Sequence, residues 1–504
     1  MPEPPASHRL QTPMSLTRQP SMPGSSIPTV VTTPVGSTSL ARHLPAALKW
    51  LFSLTLALAP LPLASARPLA WSVLAIAIGS LLLLSLGCEL IERTPSGATS
   101  VLRVPAALGA LIAAWIVVQS LPLGDLVRLS PLWGSAAQAL ASAVQPSISL
   151  DREDSISHLL RLLVYGGSFL IAWHVARRSD GAQTVLRAIG VIGAAYSLYG
   201  LAVYLSGNAS ILWFPKWAYR TDLTGTFVNR NSFATFIGLG LIANLAMMAG
   251  MLAEKTDARS WRTLLQSSIE VVLWRGSWAT ACLVVIGSAL LFTHSRGGSL
   301  ASLLGATALV LCVMGAPSLR GRWNLSFAVL AALGGIAILA VDGSGFLNRI
   351  GYTVADSEAR IDIVSGTLRA ISENSFFGTG LGSFKYVYAP YQPPSIGGLV
   401  DLAHNDYLEN VLELGLPFAI VFYSMPLLLI SSCLRGVVRR RRNAVYCCAG
   451  VGASVLVACH ATVDFSMQAP AVAVTYAALL GIGVAQSIGL ASRDHANGSR
   501  SRIS

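Results

Sequence analysis

The stretch LAWSVLAIAIGSLLLLSLGC, residues 69–88, contains no charged residue and is long enough to cross the ~30 Å hydrocarbon core of a membrane as one helix. Apolar blocks of this kind recur along the 504-residue chain, in which 53% of the residues are hydrophobic and 12% are charged. The charged share is about half the roughly 25% of a soluble domain. The composition therefore excludes an ordinary soluble enzyme and predicts an all-α polytopic membrane protein.

The apolar runs predict about twelve transmembrane helices, with a large extracytoplasmic loop, 342–413, between spans nine and ten. The chain then divides into a disordered cytoplasmic tail (1–43), an N-terminal transmembrane region (44–223), a transmembrane core that includes the loop (224–489) and a second cytoplasmic tail (490–504). The predicted spans lie near residues 46–65, 69–88, 104–121, 158–176, 185–205, 232–253, 278–293, 299–316, 325–341, 414–433, 444–462 and 470–489.

The net charge of +12 is explained by membrane topology, and we expect no nucleic acid partner. Most of the basic residues fall on the cytoplasmic side when the amino terminus is placed there, and the run Arg439–Arg442 anchors this orientation. The 7 cysteines lie in or beside apolar blocks without metal-ligand spacing. No disulfide framework, zinc site or cofactor is predicted.

Two polar motifs stand at the outer ends of predicted spans. TGTFVNRNSFA, residues 224–234, places Asn229, Arg230 and Asn231 at a helix amino terminus, where they can bind an anion or simply cap the helix. HSRGGSLASLL, residues 294–304, forms a tight turn in which Arg296 can contact a phosphate. The adjacent glycines can serve close approach of a ligand or turn geometry alone.

The large loop contributes two further motifs. ARIDIVSGTLRAISENSFFGTGLGSF, residues 359–384, begins with Arg360 beside the membrane. It predicts a short amphipathic helix near 358–371 and then a glycine-rich turn, and its Gly-x-Gly-x-Gly run lacks the context of a nucleotide site. In DLAHNDYLENVLELGLP, residues 401–417, a helix would place His404, Tyr407 and Leu408 on one face. His404 can accept a proton near neutral pH, although an isolated interfacial histidine is usually structural.

A fifth motif, CHATVDFSMQAP (459–470), forms the turn between the last two spans, where Asp464 and Gln468 can hold a polar group or cap the turn. All five motifs fall on one face of the membrane, and the spans contain essentially no Asp or Glu. An ion-coupled transporter would be expected to bury such groups near the midplane. The pattern therefore favours chemistry at the outer surface.

Together the five motifs resemble the O-antigen ligase-like family of bacterial membrane glycosyltransferases, from about Thr224 to Ala477. The family includes O-antigen ligases, polysaccharide polymerases and protein O-oligosaccharyltransferases. The resemblance implies metal-independent transfer of a glycan from an undecaprenyl-diphosphate carrier to an acceptor hydroxyl, at the periplasmic side of the inner membrane. The acceptor is a glycan, a lipid A core or a protein. Phe418 departs from the family pattern, where a glycine often follows the Leu-Pro pair.

The resemblance also implies residue roles. Arg296 and Arg360 match arginines that hold the carrier diphosphate, and His404 matches a histidine that activates the acceptor. Further substrate-binding residues are expected at Asn229, Arg230, Asn231, Asn405, Asp406, Glu409 and Asp464.

Three other functions remain open. A transporter or lipid-linked oligosaccharide flippase would show an internal repeat, and we find none in the sequence. A peptidoglycan-type membrane polymerase would rely on an acidic residue in the large loop, for which Asp401 and Asp406 are candidates. A non-catalytic membrane scaffold would leave the external arginines unexplained.

Overall fold

The computed structural model describes residues 39–92, 99–122, 131–253, 266, 269–319, 360–440 and 442–488, and within them the chain is mostly helical. One short antiparallel hairpin, β1 (Ser210–Ile211) and β2 (Phe214–Pro215), lies between α6 and α7. The helices are α1 (Ser39–Leu58), α2 (Pro68–Glu92), α3 (Ser100–Ser120), α4 (Leu132–Leu140), α5 (Arg152–Val175), α6 (Ser179–Leu205), α7 (Arg230–Ala253), α8 (Ser277–Phe292), α9 (Arg296–Gly315), α10 (360–373), α11 (Phe384–Tyr388), α12 (Asp406–Leu414), α13 (Leu416–Arg439), α14 (Ala444–His460) and α15 (Pro470–Ser487).

Eight of these helices are long and apolar enough to cross a membrane: α2, α3, α5, α6, α7, α9, α13 and α15. The apolar helices α1, α8 and α14 are shorter, and all of these helices coincide with predicted spans. The remaining predicted span, 325–341, and residues 342–359 of the predicted loop lie outside the described residues. The protein is therefore an all-α polytopic membrane protein, while the number of spans stays a prediction.

The first helix differs from its predicted bounds at both ends. It begins at Ser39, inside the segment predicted as a disordered tail, whose residues 1–38 lie outside the described part of the chain. It ends at Leu58 instead of near residue 65, because Pro60 and Pro62 follow and cannot continue a helix. Pro68 then begins α2, a position where its missing N–H costs nothing.

Helices α7 and α15 form the centre of the bundle. Of the apolar 18-residue stretch of α15, 89% of the residues are buried, and 72% are buried in that of α7. In α2, α3 and α13 the buried share is 17–22%. The outer helices therefore keep apolar faces for lipid. Glycines bring α6 close to the central helix α7, since a Cβ added at Gly193 of α6 would lie 2.9 Å from Gly240 Cα of α7. Close contact through small residues is typical of membrane helices.

The described part of the large loop (360–413) and the next residue, Leu414, which we together call the cover segment (residues 360–414), pack on the end of the bundle. The cover segment has its own small core, in which Phe384 stacks on Tyr388 at a ring distance of 5.2 Å. The buried Gln119 at the end of α3 holds it in place, because its Nε2 donates to Phe377 O and Glu413 O, both at 2.8 Å. The predicted glycine turn is present, with positive φ at Gly378, Gly380 and Gly382.

The HNDYLE region departs from the single helix that the sequence predicted. Asn405 Oδ1 accepts hydrogen bonds from Tyr407 N (3.0 Å) and Leu408 N (3.1 Å), so the helix begins at Asp406. His404 precedes it, and the prediction that it shares a helical face with Tyr407 and Leu408 is wrong. Gly415, at φ +82°, then separates α12 from α13. Any Cβ there would lie 2.2 Å from Phe376 O, so only glycine fits this break.

Candidate functional site

The starts of α7 and α9 meet at the same end of the bundle. Asn229 Oδ1 accepts from Asn231 N at 2.7 Å, which is the capping alternative that the sequence left open. Asn231 Oδ1 in turn accepts from Ser295 Oγ at 2.7 Å, and Ser295 Oγ caps α9 by accepting from Gly298 N at 3.1 Å. The two helix starts are thereby fixed to one another, and Arg296 stands on the first turn of α9.

Packing leaves no room for a side chain at Gly298 and little at Gly297. A Cβ at Gly298 would lie 2.5 Å from Ala234 Cβ of α7, and one at Gly297 would lie 3.0 Å from Val463 Cγ2. Val463 belongs to the turn between α14 and α15. The exposed Arg296 therefore projects from a helix start that is pressed against this turn.

A cavity of about 240 Å³ lies between α10, the loop before α12 and the turn after α14. It brings together two of the three residues predicted to be catalytic, Arg360 and His404. Arg296 is not among its lining residues, although the next residue, Gly297, packs near Val463 of the lining. The lining residues are Arg360, Ile361, Val364, Ala403, His404, Thr462 and Val463.

His404 is held by a buried carboxylate. Its Nδ1 lies 3.2 Å from Asp464 Oδ1, and the Asp464 side chain is 1% exposed while that of His404 is 31% exposed. Burial raises the pKa of Asp464, but the hydrogen bond from His404 and the nearby His460 outweigh burial, and the net pKa is below the ordinary value. Because Nδ1 faces Asp464, the Nε2 of His404 is the nitrogen left for a substrate.

The backbone at His404 is strained. Its φ of +52° lies in the left-handed region, which costs a side-chain-bearing residue on the order of 1–3 kcal/mol and persists only where neighbours enforce it. Asn405 Nδ2 donates to Thr462 O at 3.0 Å and Asp406 N donates to Ala461 O at 2.9 Å. These bonds fasten the residues after His404 to the turn that carries Asp464.

Three carboxyl groups lie buried on one face of α12. Asp406, Glu409 and Glu413 are 5%, 4% and 3% exposed, and their spacing places them on adjacent turns. Burial raises the pKa of Asp406 and Glu413 well above the usual range and that of Glu409 to about 7. Among the described residues, those that line the cavity include none of these three carboxyl groups. The substrate-binding role predicted for Asp406 and Glu409 therefore has no support from their positions.

A second histidine–carboxylate pair lies behind the helix starts. His294 Nδ1 and Arg230 Nη1 both lie 2.8 Å from the carboxylate of Asp222, whose side chain is 8% exposed. The Arg230 guanidinium also lies over the Tyr219 ring, 5.5 Å from its centroid. Burial raises the pKa of Asp222, but His294 and Arg230 together bring the net pKa below the ordinary value. Arg230, predicted to bind substrate, is thus engaged with a carboxylate.

Sequence reasoning assigned no role to Asp222, His294 or His460. His460 is 1% exposed, its Nδ1 lies 2.9 Å from Ser466 Oγ, and its Nε2 is buried without a hydrogen-bond partner among the described residues. One signal was present in the sequence: His460 and Asp464 are one helical turn apart in the same motif. Asp222 had none beyond being an acidic residue in a loop between predicted spans.

The site thus combines the Arg360 guanidinium with the His404 imidazole along one cavity, and the imidazole is paired with the Asp464 carboxylate. Residues 281–423 match the family model described as O-Antigen ligase. The resemblance to the O-antigen ligase-like family is confirmed. The matched part of the chain contains Arg296, Arg360 and His404, whereas Asn229 and Asp464 lie outside it. No curated protein matches the chain.

An O-antigen ligase match supports a membrane protein that acts on lipid-linked glycans as a ligase or polymerase. The match covers most of α8, all of α9 and the cover segment, and the first part of α13. The turn that supplies Asp464 lies outside the matched residues and is joined to them by the contacts of His404, Asn405 and Asp406.

Proposed function

We propose that this protein transfers a glycan from an undecaprenyl-diphosphate carrier to an acceptor hydroxyl, as an O-antigen ligase or a surface polysaccharide polymerase. The reaction takes place on the periplasmic face of the bacterial inner membrane, without a metal ion. The single observation that carries the proposal is that Arg360 and His404 line the same cavity, with His404 Nδ1 on the buried Asp464.

His404 acts as the general base in this proposal. The acceptor oxygen attacks the anomeric carbon while its proton moves to His404 Nε2, and the bond from that carbon to the diphosphate oxygen breaks with its electron pair leaving on the diphosphate. Asp464 stabilises the imidazolium that forms and fixes the ring orientation. A general base of this kind contributes roughly 10²–10⁴-fold to a rate.

Arg360 and Arg296 act on the leaving group. Negative charge builds up on the diphosphate as the glycosidic bond breaks, and a planar guanidinium can offer two parallel donors to a phosphate. The displacement inverts the anomeric configuration, because the motifs supply no pair of carboxylates at the cavity for a covalent intermediate. The buried carboxyls of α12 do not change this, since none of them lines the cavity between the described residues.

The peptidoglycan-type polymerase remains the alternative with two candidate acidic residues, Asp401 and Asp406, and the burial of Asp406 speaks against one of them. It requires an accessible acidic residue in the large loop, but Asp406 is 5% exposed and its backbone N–H is bonded to Ala461 O. Asp401 is exposed but does not line the cavity between the described residues.

The proposal is tested by deleting the gene in its host and analysing surface glycans, carrier-linked glycans and secreted glycoproteins. Loss of long chains with single repeat units retained identifies a polymerase. Uncapped lipid A core with accumulating carrier-linked polymer identifies a ligase, and an altered glycoprotein alone identifies a protein glycosyltransferase.

Complementation connects the phenotype to the site. The wild-type gene should restore the product, and so should a His294→Asn variant, whereas His404→Asn should not. Glycans and glycoproteins that are all unchanged in the deletion strain would overturn the proposal, as would full complementation by His404→Asn.

A further inference from the structure

Glu409 joins the two segments that carry the His404–Asp464 pair. Its Oε2 accepts from Ala403 N at 2.8 Å, one residue before His404. Its Oε1 accepts from Gln468 Nε2 at 2.7 Å, in the turn that carries Asp464. Both oxygens are occupied and the side chain is 4% exposed, so the carboxylate faces protein on all sides and not the cavity.

The placement of His404 depends on bonds of this kind. The residue adopts φ +52°. On its amino-terminal side Ala403 N donates to Glu409. On its carboxy-terminal side Asn405 and Asp406 donate to the carbonyl oxygens of residues 462 and 461. The His404 Nδ1 to Asp464 Oδ1 distance of 3.2 Å is already long for a charge-assisted hydrogen bond. A small displacement of either segment would therefore break the pair.

We propose that Glu409 is a positioning residue, which fixes His404 and Asp464 relative to one another by bridging the amide before His404 and the Gln468 side chain. This inference rests on the proposed function, because positioning matters for turnover only if His404 is the base. It assigns to Glu409 a role in the geometry of the base instead of contact with substrate.

Glu413 provides a matched comparison on the same helix. It is a buried carboxyl one turn further along α12, and its Oε1 accepts from Phe384 N at 3.0 Å. Its partner Phe384 is the first residue of α11 and belongs neither to the loop at His404 nor to the turn at 461–469. Removing either carboxyl leaves buried N–H donors without an acceptor, so the two losses should destabilise the fold comparably. Only the loss at Glu409 should disturb the His404–Asp464 pair.

The test compares Glu409→Met and Glu413→Met in the full-length protein, reconstituted with carrier-linked glycan and acceptor extracted from the deletion strain. We expect Glu409→Met to lower kcat about 10–100-fold, as loss of a supporting partner does, with the KM for carrier nearly unchanged. Glu413→Met should keep most of the wild-type kcat. Glu409→Gln retains an acceptor for Ala403 N and should recover most of the loss.

A second measurement does not require turnover. Diethyl pyrocarbonate modifies accessible imidazoles, and peptide mass spectrometry gives the rate at each histidine separately. Glu409→Met should accelerate modification of His404 several-fold and leave His294 unchanged, while Glu413→Met should leave both rates as in the wild type. Should Glu409→Met fail to fold, Gln468→Met removes one arm of the bridge and should produce the same changes to a smaller extent.

The outcomes separate the inference from the proposed function. Equal kcat in the two methionine variants, or equal rates of His404 modification, would overturn the bridge while transfer by the wild type still supports the glycosyltransferase. A wild-type chain that transfers no glycan, but whose His404 is modified faster only when Glu409 is replaced, would overturn the proposed function and support the bridge.

Discussion

Two histidines of this protein share the same local geometry and differ in their surroundings. His404 and His294 both have positive φ, +52° and +51°, and each directs Nδ1 to a buried aspartate. Asp222 also binds Arg230, so both of its oxygens are paired. Asp464 Oδ2 is buried without a hydrogen-bond partner among the described residues, and His404 alone of the two histidines lines the cavity described above.

This difference shows that a histidine–aspartate pair does not by itself identify a catalytic base. At Asp222 the cation of Arg230 already balances the carboxylate. At Asp464 the ion pairs among the described residues include no arginine, and the carboxylate is paired with His404. Access to a cavity and an unbalanced carboxylate are the features that favour a catalytic role.

The largest expected effect comes from replacing the two histidines in parallel. His404→Asn should lower the rate of glycan transfer by roughly 10²–10⁴-fold, because the general base is lost. His294→Asn should keep most of the activity and lower thermal stability, since its role is to tie the start of α9 to Asp222. Transfer rates and melting temperatures of the purified variants measure both effects. Equal losses of activity would remove the distinction between the pairs.

Lysine substitution of the two arginines proposed to hold the diphosphate should have the next largest effect. Arg296→Lys and Arg360→Lys should each lose most of the activity, roughly 10²–10³-fold for one donor to a developing anion, while leaving the fold intact. Lysine keeps the charge but loses the planar pair of donors. Arg369→Lys is the matched control, since Arg369 lies on α10 with Arg360 and donates to Tyr391 O at 3.4 Å. Wild-type turnover in Arg360→Lys would exclude its role in holding diphosphate.

Replacing each of the two aspartates by asparagine tests the comparison further. Asp464→Asn should reduce kcat about 10–100-fold, as loss of an orienting partner does, with little change in the KM for carrier. Asp222→Asn should chiefly destabilise the fold, because Arg230 and His294 lose their shared anion. Steady-state kinetics with thermal unfolding distinguishes the two results. A kcat for Asp222→Asn as low as that for Asp464→Asn would show that the pairs are equivalent.

The sequence predicted most of the fold and only part of the site. The apolar runs located α2, α3 and the other described spans, because in a membrane the length and polarity of a segment decide its structure. The motifs also identified Arg360 and His404, which share a cavity. The break at Gly415 and the placement of Glu409 were missed, because both depend on long-range contacts: Phe376 O beside Gly415, and Gln468 and Ala403 N around Glu409. Asp222 was missed for the same reason, since its partner His294 is 72 residues away in the chain.

The smallest expected effect is on the pH dependence of the melting temperature. In it Asp222 and Asp464 should act in the opposite direction to Glu409, because their pKa values are shifted in opposite directions. Asp222 and Asp464 have lowered pKa values, so their contribution to stability is present above the unfolded pKa and is lost as the pH falls through the folded one. Burial raises the pKa of Glu409 from 4.5 to about 7. The folded protein therefore binds this proton more tightly than the unfolded chain. Its stabilising effect is complete below about pH 4.5 and is lost as the pH rises through about 7.

Glu409→Gln should consequently flatten the dependence of the melting temperature on pH between about 5 and 8, and raise the melting temperature by a few degrees at the alkaline end. Without the charge of Glu409 the pKa values of Asp406 and Glu413 are raised less, and this change acts in the same direction as the loss of Glu409 itself. The charged and titratable groups that surround Glu409 are His158, His404, Asp406, Glu413 and Tyr423. Thermal unfolding in a detergent of constant composition gives the two curves. Parallel curves for wild type and variant would mean that Glu409 does not titrate in this range. A flattened curve together with a kcat near that of the wild type is expected, and it would mean that the acceptor for Ala403 N, and not the charge of the carboxylate, positions His404.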